Sequence, residues 1–210
     1  KKVVIADSLA PLVNEIFTNY ELYSSLSLIL AAVFFAFQIY CDFSGYTDIA
    51  RGIAKLLGFE LMLNFNYPYF SQSIGEFWRR WHISLSTWFR DYIYIPLGGS
   101  KSGTTKGLRN VAVIFLVSGF WHGANWTFIV WGGIHALFFM PSFILGTNRK
   151  NKSNNQELGQ INRFISLVKV LWTFTIVTIA WVFFRADSID AAFNYFYQIA
   201  HNQGEHYFTI

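Results

Sequence analysis

Three long stretches of the chain are almost continuously apolar, and polar residues are concentrated between them. The apolar stretches cover residues 22–40, 111–145 and 167–184. Each approaches or exceeds the roughly 18 to 20 apolar residues that a helix needs to cross the hydrocarbon core of a bilayer. The pattern predicts an all-α, polytopic integral membrane protein, a helical bundle that forms one membrane domain over residues 1–210.

The second apolar stretch is too long for one membrane span and too short for two. No charged residue occurs over 110–148, whereas about 20 residues suffice for one span. We therefore predict a broken hairpin, with a short helix over 111–120, a break over 119–125 and a returning helix over 126–145. At about 1.5 Å per residue, His122 would lie roughly 15 to 18 Å inside the membrane. Irregular backbone at that depth is tolerated only where it packs in protein or lines a watery cavity.

A different pattern, an aromatic stripe, occurs over residues 75–95. Large apolar residues recur there at steps of three or four, which places them on one side of a helix; they are Phe77, Trp81, Leu85, Trp88 and Tyr92. Trp, Tyr and Arg together are typical of the membrane–water boundary, so this segment is predicted to be an interfacial or re-entrant helix. Residues 147–160 are polar and without periodicity, and they are predicted to form a linker.

Composition and charge distribution agree with a membrane protein. Charged residues make up 13% of the chain, about half of the roughly 25% found in soluble proteins. Basic residues outnumber acids six to one over 79–109 and five to one over 149–169. Short loops rich in Lys and Arg remain cytoplasmic, so we expect both segments to face the cytoplasm. Nucleic acid is not an expected partner, because apolar runs separate the basic residues.

His122 is the main candidate for chemistry within the uncharged stretch. A buried neutral imidazole can take a proton from a substrate hydroxyl near neutral pH. Gly123 would let a substrate approach the backbone, and Trp121 and Trp126 would wall a cavity against lipid. The alternative is a core histidine that bonds to a neighbouring helix. His82, on the boundary segment, is either a second functional group or an interfacial anchor.

Other chemistry finds less support in the sequence. Haem ligation by His122 and His135 would need a matching pair of imidazoles on another helix, and the other apolar stretches contain no histidine. His135 is therefore interpreted as a helix-packing residue. The sequence has no nucleophile elbow, cysteine cluster or paired-histidine metal motif, and we expect neither a metal site nor a bound cofactor.

Three motif-rich stretches point to a family. They read YCDFSGYTDIARG over 40–52, NFNYPYFSQSIGEFWRRWHISLSTWFRDYIYIPLGG over 64–99 and SGFWHGANWTFIVWGGIHA over 118–136. Together they resemble the membrane-bound O-acyltransferases, in particular their bacterial alginate O-acetyltransferase branch. The resemblance implies that the chain is an internal or C-terminal piece of a multi-pass protein of the bacterial inner membrane. It also implies that His122, in the Trp-His-Gly motif, is catalytic and that His82 is a second catalytic position.

The resemblance further implies an activity and its partners. An acyl group, expected to be acetyl, would pass from a cytoplasmic thioester donor, acetyl-CoA or an acyl carrier protein, towards hydroxyls of a cell-surface polysaccharide such as alginate. A partner transferase often completes this transfer in the family. The alternatives are transfer of D-alanyl or another acyl group from a carrier protein to a cell-wall polymer, and a non-catalytic polysaccharide-export subunit.

Transfer across a membrane needs a tunnel between helices, with a proton-handling group inside and a positive cytoplasmic mouth for an anionic donor. We assign Arg79 and Arg80 to that mouth, one facing the tunnel and the other the lipid phosphates. The alternative makes both arginines lipid anchors. Trp121 and Asn125, which flank the histidine of the break, are assigned to substrate or donor binding.

Overall fold

The computed structural model describes residues 1–100, 103–145 and 160–201, and these form an almost entirely helical structure. The α-helices of the described residues are α1 (Asp7–Thr18), α2 (Ser25–Leu56), α3 (Ile74–Arg80), α4 (Ile83–Phe89), α5 (Thr104–His122), α6 (Trp126–Ile144), α7 (Gln160–Arg185) and α8 (Ile189–His201). The linker predicted over 147–160 lies outside the described residues, except for Gln160 at the start of α7.

Three helical segments in the described part of the chain are long and apolar enough to cross a membrane. They are Ser25–Leu56, Trp126–Ile144 and Arg163–Arg185. The prediction of an all-α membrane protein is confirmed by these helices. The first of them continues well past residue 40, where its apolar stretch ends. Its polar second half is supported by ion pairs, because Asp48 accepts a hydrogen bond from Lys1 at 2.8 Å and Asp42 pairs with Lys2.

The described chain divides into two compact units. The first comprises Lys1–Met62 and Trp181–Ile210, and the second comprises Leu63–Ala180. In the first unit, α1, α2 and α8 pack around a core that includes Ile16 and Leu28. The hydroxyl of Tyr195 is buried there and donates a hydrogen bond of 2.7 Å to the carbonyl oxygen of Leu28. All the residues assigned to the site lie in the second unit.

Helices α5 and α6 form an antiparallel hairpin whose backbones touch. A Cβ atom added to Gly119 would lie 2.3 Å from the carbonyl oxygen of Phe128, and one added to Gly132 would lie 2.3 Å from that of Phe115. Such close approach between membrane helices is the usual function of small residues at their interfaces. The two glycines therefore determine how tightly the hairpin packs.

The first arm of the hairpin is longer than the sequence pattern indicates. The pattern places its start at residue 111, where charged residues cease, but α5 begins at Thr104 and has 19 residues. Helix formation tolerates the early Lys106 and Arg109, since both are good helix formers. His122, the last residue of α5, lies about 20 Å of helix axis beyond Arg109 at 1.5 Å per residue.

The boundary segment is not the single helix that its aromatic stripe predicts. It is divided into α3, α4 and a π-helical turn over Arg90–Tyr94, with the break at Trp81 and His82. His82 has φ 44° and ψ 55°, a left-handed conformation that ends the first helix and redirects the chain. The stripe is divided as well: Phe77 and Trp81 are buried, whereas Trp88 and Tyr92 are exposed.

Candidate active site

His122 lies at the turn between the two arms of the hairpin. It is the C-terminal residue of α5 and is half-buried. The edge of its ring faces two indoles, with ring centroids 5.0 Å from Trp121 and 5.1 Å from Trp131. Trp131 is buried and belongs to α6, whereas Trp121 is exposed. The imidazole is therefore held against the hairpin on one side and accessible on the other.

The residues that follow His122 build the turn itself. A Cβ atom at Gly123 would lie 2.5 Å from the ring of Phe128, so the missing side chain makes room for an aromatic ring of the same turn. The interpretation that Gly123 lets a substrate approach the backbone stays a prediction. Asn125 is the N-cap of α6, and its Oδ1 accepts a hydrogen bond of 3.1 Å from the N–H of Thr127. Its assignment to substrate binding stays a prediction.

His82 is brought close to His122 by the fold, although 40 positions separate them. The two imidazoles are near enough to interact electrostatically. Burial lowers the pKa of the His82 imidazole below the ordinary histidine value. A neutral imidazole at neutral pH can accept a proton. The two predicted catalytic positions thus lie at two helix breaks, within electrostatic range of each other.

The adjacent Arg79 and Arg80 have different surroundings. Arg80 donates a hydrogen bond of 2.6 Å to Oε1 of Glu76, one turn earlier on α3, and another of 3.5 Å to the carbonyl oxygen of Tyr67. Arg79 has no carboxylate within salt-bridge distance among the described residues. Burial lowers the pKa of Arg79 and outweighs the opposing effect of Glu76. Arg79 is exposed overall, so its guanidinium, without a paired carboxylate, is available to bind an anion.

Arg79 lines a cavity of about 260 Å³ between α3, α4 and the hairpin. Arg80 does not line this cavity. Most of the wall is apolar, and it includes Leu85, Phe89, Val111, Ile114, Phe139 and Phe143. Ser118, also in the wall, lies one helical turn before His122 on α5. Arg90 also lines the cavity but is paired with Asp91. The cavity thus combines an apolar interior, the unpaired guanidinium of Arg79 and a position close to the candidate base.

The structure reveals further residues that the sequence analysis did not single out. Glu76, which neutralises Arg80, also accepts a hydrogen bond of 2.8 Å from the N–H of Gln72. Ser73 caps α3 by accepting one of 3.2 Å from the N–H of Glu76. The signal was available, because Ser followed three residues later by Glu is the capping-box pattern. Trp78, which lines the cavity and binds His135, had no comparable signal.

Comparison with known proteins bears on this arrangement. The family model of MBOAT, membrane-bound O-acyltransferase family, matches residues 14–184. The chain is 44% identical over 192 residues to the "Probable alginate O-acetylase" of Azotobacter vinelandii, an alignment that covers 91% of this chain and 36% of that protein. It is 40% identical over 195 residues to the peptidoglycan O-acetyltransferase of Helicobacter pylori, with 91% and 35% covered.

A more distant similarity extends to a third class of protein. The chain is 32% identical over 158 residues to the teichoic acid D-alanyltransferase of Bacillus subtilis, covering 71% of this chain and 39% of that protein. The chain thus spans about a third of the length of the alginate and peptidoglycan relatives. The matched region includes the two histidines, the paired arginines and the hairpin.

Proposed function

The chain belongs to the membrane-bound O-acyltransferase family, and on this premise we propose that it carries the active site of a membrane O-acetyltransferase. The enzyme moves an acetyl group from a cytoplasmic thioester donor towards the hydroxyls of a cell-surface polysaccharide. Relatives named for O-acetylation of alginate and of peptidoglycan support this class of acceptor. The observation that carries the proposal is the position of His122 one helical turn beyond Ser118, which lines an apolar cavity together with Arg79, with His82 within electrostatic range of His122.

His122 is the general base in this proposal. Its neutral imidazole accepts the proton of the acceptor hydroxyl while the hydroxyl oxygen attacks the thioester carbonyl carbon. An ester C–O bond forms, the C–S bond breaks, and the proton passes from the imidazolium to the departing thiolate sulfur. His82, close to His122, is the second catalytic group. An acyl relay through a covalent intermediate would use the same two residues.

Arg79 is the donor-binding residue of the pair, in this proposal. Its guanidinium lines the cavity and can bind a phosphate of coenzyme A or of a carrier-bound phosphopantetheine. The cavity, at about 260 Å³, is smaller than the roughly 300 to 1,000 Å³ of typical pockets for whole ligands. Its size suits the narrow thioester arm of such a donor rather than a nucleotide. The thioester is a substrate, and the reaction uses no cofactor.

Trp121 and Asn125 are proposed to contact the substrate from the hairpin turn.

The protein is proposed to be a multi-pass component of the bacterial inner membrane. Basic residues cluster over 79–109 and 149–169, and such loops remain on the cytoplasmic side, where the thioester donor is made. The acceptor polysaccharide and a partner transferase then lie on the opposite side. A second candidate function is D-alanyl transfer from a carrier protein to a cell-wall polymer, which the similarity to a teichoic acid D-alanyltransferase favours.

A substitution at His122 in the full-length protein tests the catalytic proposal. His122→Gln should leave the protein folded and inserted while lowering acyl transfer in membranes by about 10²-fold or more, the usual contribution of a general acid–base group. The matched control is His201→Gln, because His201 is exposed on α8. Near-normal acyl transfer by well-expressed His122→Gln protein would contradict the proposal and favour a non-catalytic export subunit. Radiolabelled acetyl-CoA and a D-alanyl carrier protein, supplied in parallel, identify the donor.

A further inference from the structure

The backbone of His82 has an uncommon conformation. With φ 44° and ψ 55° it lies in the left-handed region, which only a few per cent of residues other than Gly adopt, His more often than most. Such a conformation persists only where neighbouring structure enforces it, and it occurs preferentially at functional sites. The neighbours that enforce it are therefore part of what places the imidazole.

Asn64 binds the chain immediately after His82 through both its backbone and its side chain. Its carbonyl oxygen accepts a hydrogen bond of 3.1 Å from the N–H of Ile83, and its Oδ1 accepts one of 3.0 Å from the N–H of Ser84. The imidazole of His82 does not cap α4. The amide oxygen of Asn64 therefore serves as the cap of this helix, from a position 18 residues earlier in the sequence.

The same segment also binds the chain just before His82. The N–H of Asn66 donates a hydrogen bond of 2.9 Å to the carbonyl oxygen of Arg80. Between the two asparagines, the buried ring of Phe65 meets the ring of Trp81 edge-on, with centroids 4.9 Å apart. Residues 64–66 therefore hold both sides of the break. Two of these contacts use backbone atoms of Asn64 and Asn66, and a third uses the buried ring of Phe65. The remaining contact, the hydrogen bond to Oδ1 of Asn64, can be removed by a side-chain substitution that leaves the buried ring in place.

We propose that Asn64 is a positioning residue for His82. Its Oδ1 anchors the first turn of α4 and thereby holds His82 in the left-handed conformation that points the imidazole towards its place beside His122. This inference rests on the proposed function, because it gives the conformation of His82 a purpose in acyl transfer. Asn64 itself does not touch the reacting atoms.

Three single variants of the full-length protein separate positioning from general stability. Asn64→Asp retains an oxygen acceptor, Asn64→Leu removes it at similar volume, and Asn66→Leu is the matched control because the Asn66 side chain is exposed and only its backbone N–H is used. We expect Asn64→Leu to lower kcat for acyl transfer by about 10- to 100-fold, the effect of a misplacement of roughly 1 Å. The apparent donor KM should stay unchanged. Asn64→Asp should recover most of the loss.

A double variant shows whether the effect passes through His82. His82→Asn keeps a residue that tolerates the left-handed region but removes the imidazole. Adding Asn64→Leu to His82→Asn should then cause no further loss of kcat, since the group to be positioned is already missing. Additive losses, wild-type kcat in Asn64→Leu, or an equal loss in Asn66→Leu would each overturn the proposal. If Asn64→Leu does not accumulate in membranes, Asn64→Ala replaces it in the same comparison.

A chemical readout keeps this inference distinct from the proposed function. The rate at which diethyl pyrocarbonate modifies His82, followed by mass spectrometry of its peptide, needs no acyl transfer. Release of the break in Asn64→Leu should raise that rate several-fold relative to Asn66→Leu, and an unchanged rate would overturn the positioning proposal. Absence of acyl transfer in the wild-type protein, by contrast, would overturn the proposed function.

Discussion

The indole N–H of Trp78 donates a hydrogen bond of 3.2 Å to Nδ1 of His135, and this bond joins α3 to α6. Because Nδ1 is the acceptor, the neutral ring carries its proton on Nε2. His135 is fully buried, and its ring centroid lies 5.0 Å from that of Trp131, which in turn contacts His122. This location agrees with the interpretation of His135 as a helix-packing residue. It also connects the cavity wall to the candidate base through three packed rings.

The first prediction concerns that hydrogen bond. His135→Leu should destabilise the protein by about 1 to 3 kcal/mol, because the half-buried indole of Trp78 loses the acceptor of its N–H. His135→Asn should recover part of the loss, since its Oδ1 lies near the place of Nδ1. Thermal unfolding in detergent, compared between the two variants, measures the effect. Equal stability of the Leu and Asn variants would show that volume, rather than the hydrogen bond, determines the contribution of His135.

The second prediction separates the paired arginines. Arg79→Ala should raise the apparent donor KM by about 10- to 100-fold through loss of a charge-assisted contact, and should leave the acceptor KM unchanged. Arg80→Ala should instead lower the yield of folded protein, because the mostly buried Glu76 loses the partner that lies 2.6 Å away. Steady-state kinetics in membranes, normalised to protein amount, distinguish these effects. If both variants lose acyl transfer equally and the donor KM does not change, both arginines are anchors and Arg79 is excluded from the donor site.

The third prediction tests the packing of the hairpin with adjacent glycines. Gly132→Ala should be strongly destabilising, because the added Cβ would lie 2.3 Å from the carbonyl oxygen of Phe115, a backbone atom that cannot rotate away. Gly133→Ala is the matched control, since an added Cβ there would meet no atom within 4 Å apart from its chain neighbours and the backbone of its own helix. Alanine is favoured over glycine in a helix by about 1 kcal/mol, so the control should be neutral or stabilising. Unfolding midpoints of the two variants provide the comparison, and similar midpoints would refute the backbone-to-backbone contact.

The fourth prediction concerns topology, and its two labelling sites lie outside the described residues. Cysteines introduced at Ser102 and Ser153, in a background with Cys41 replaced, should both react with a membrane-impermeant thiol reagent from the cytoplasmic side. The reason is that short Lys/Arg-rich loops are not translocated. Reaction from opposite sides would mean that residues 111–145 cross the membrane once, against the hairpin. Prior blocking with a permeant reagent controls for cysteines that react poorly.

The helices and the hairpin turn could be predicted from the sequence because they depend on local properties. Long apolar stretches form helices when no water is present to satisfy backbone groups, and the Gly and Asn that follow His122 favour a break between two helices. The adjacency of Arg79 and Arg80 also showed that they point in different directions. The sequence did not show which of the two arginines faces the cavity. Helical periodicity tells which residues share a face of a helix, but not what packs against that face.

The tertiary structure decided the features that depend on distant residues. The break at His82 departs from the single helix that the aromatic stripe predicts, and Asn64, 18 residues earlier, binds the chain directly after it. The approach of His82 to His122 likewise depends on how α3 and α4 pack against the hairpin. Hydrogen bonds between remote segments can outweigh local helix preference by a few kcal/mol, and no pattern along the chain records them. The sequence by itself therefore identified residues whose chemistry could serve acyl transfer, whereas tertiary packing determined which of those residues lie close together.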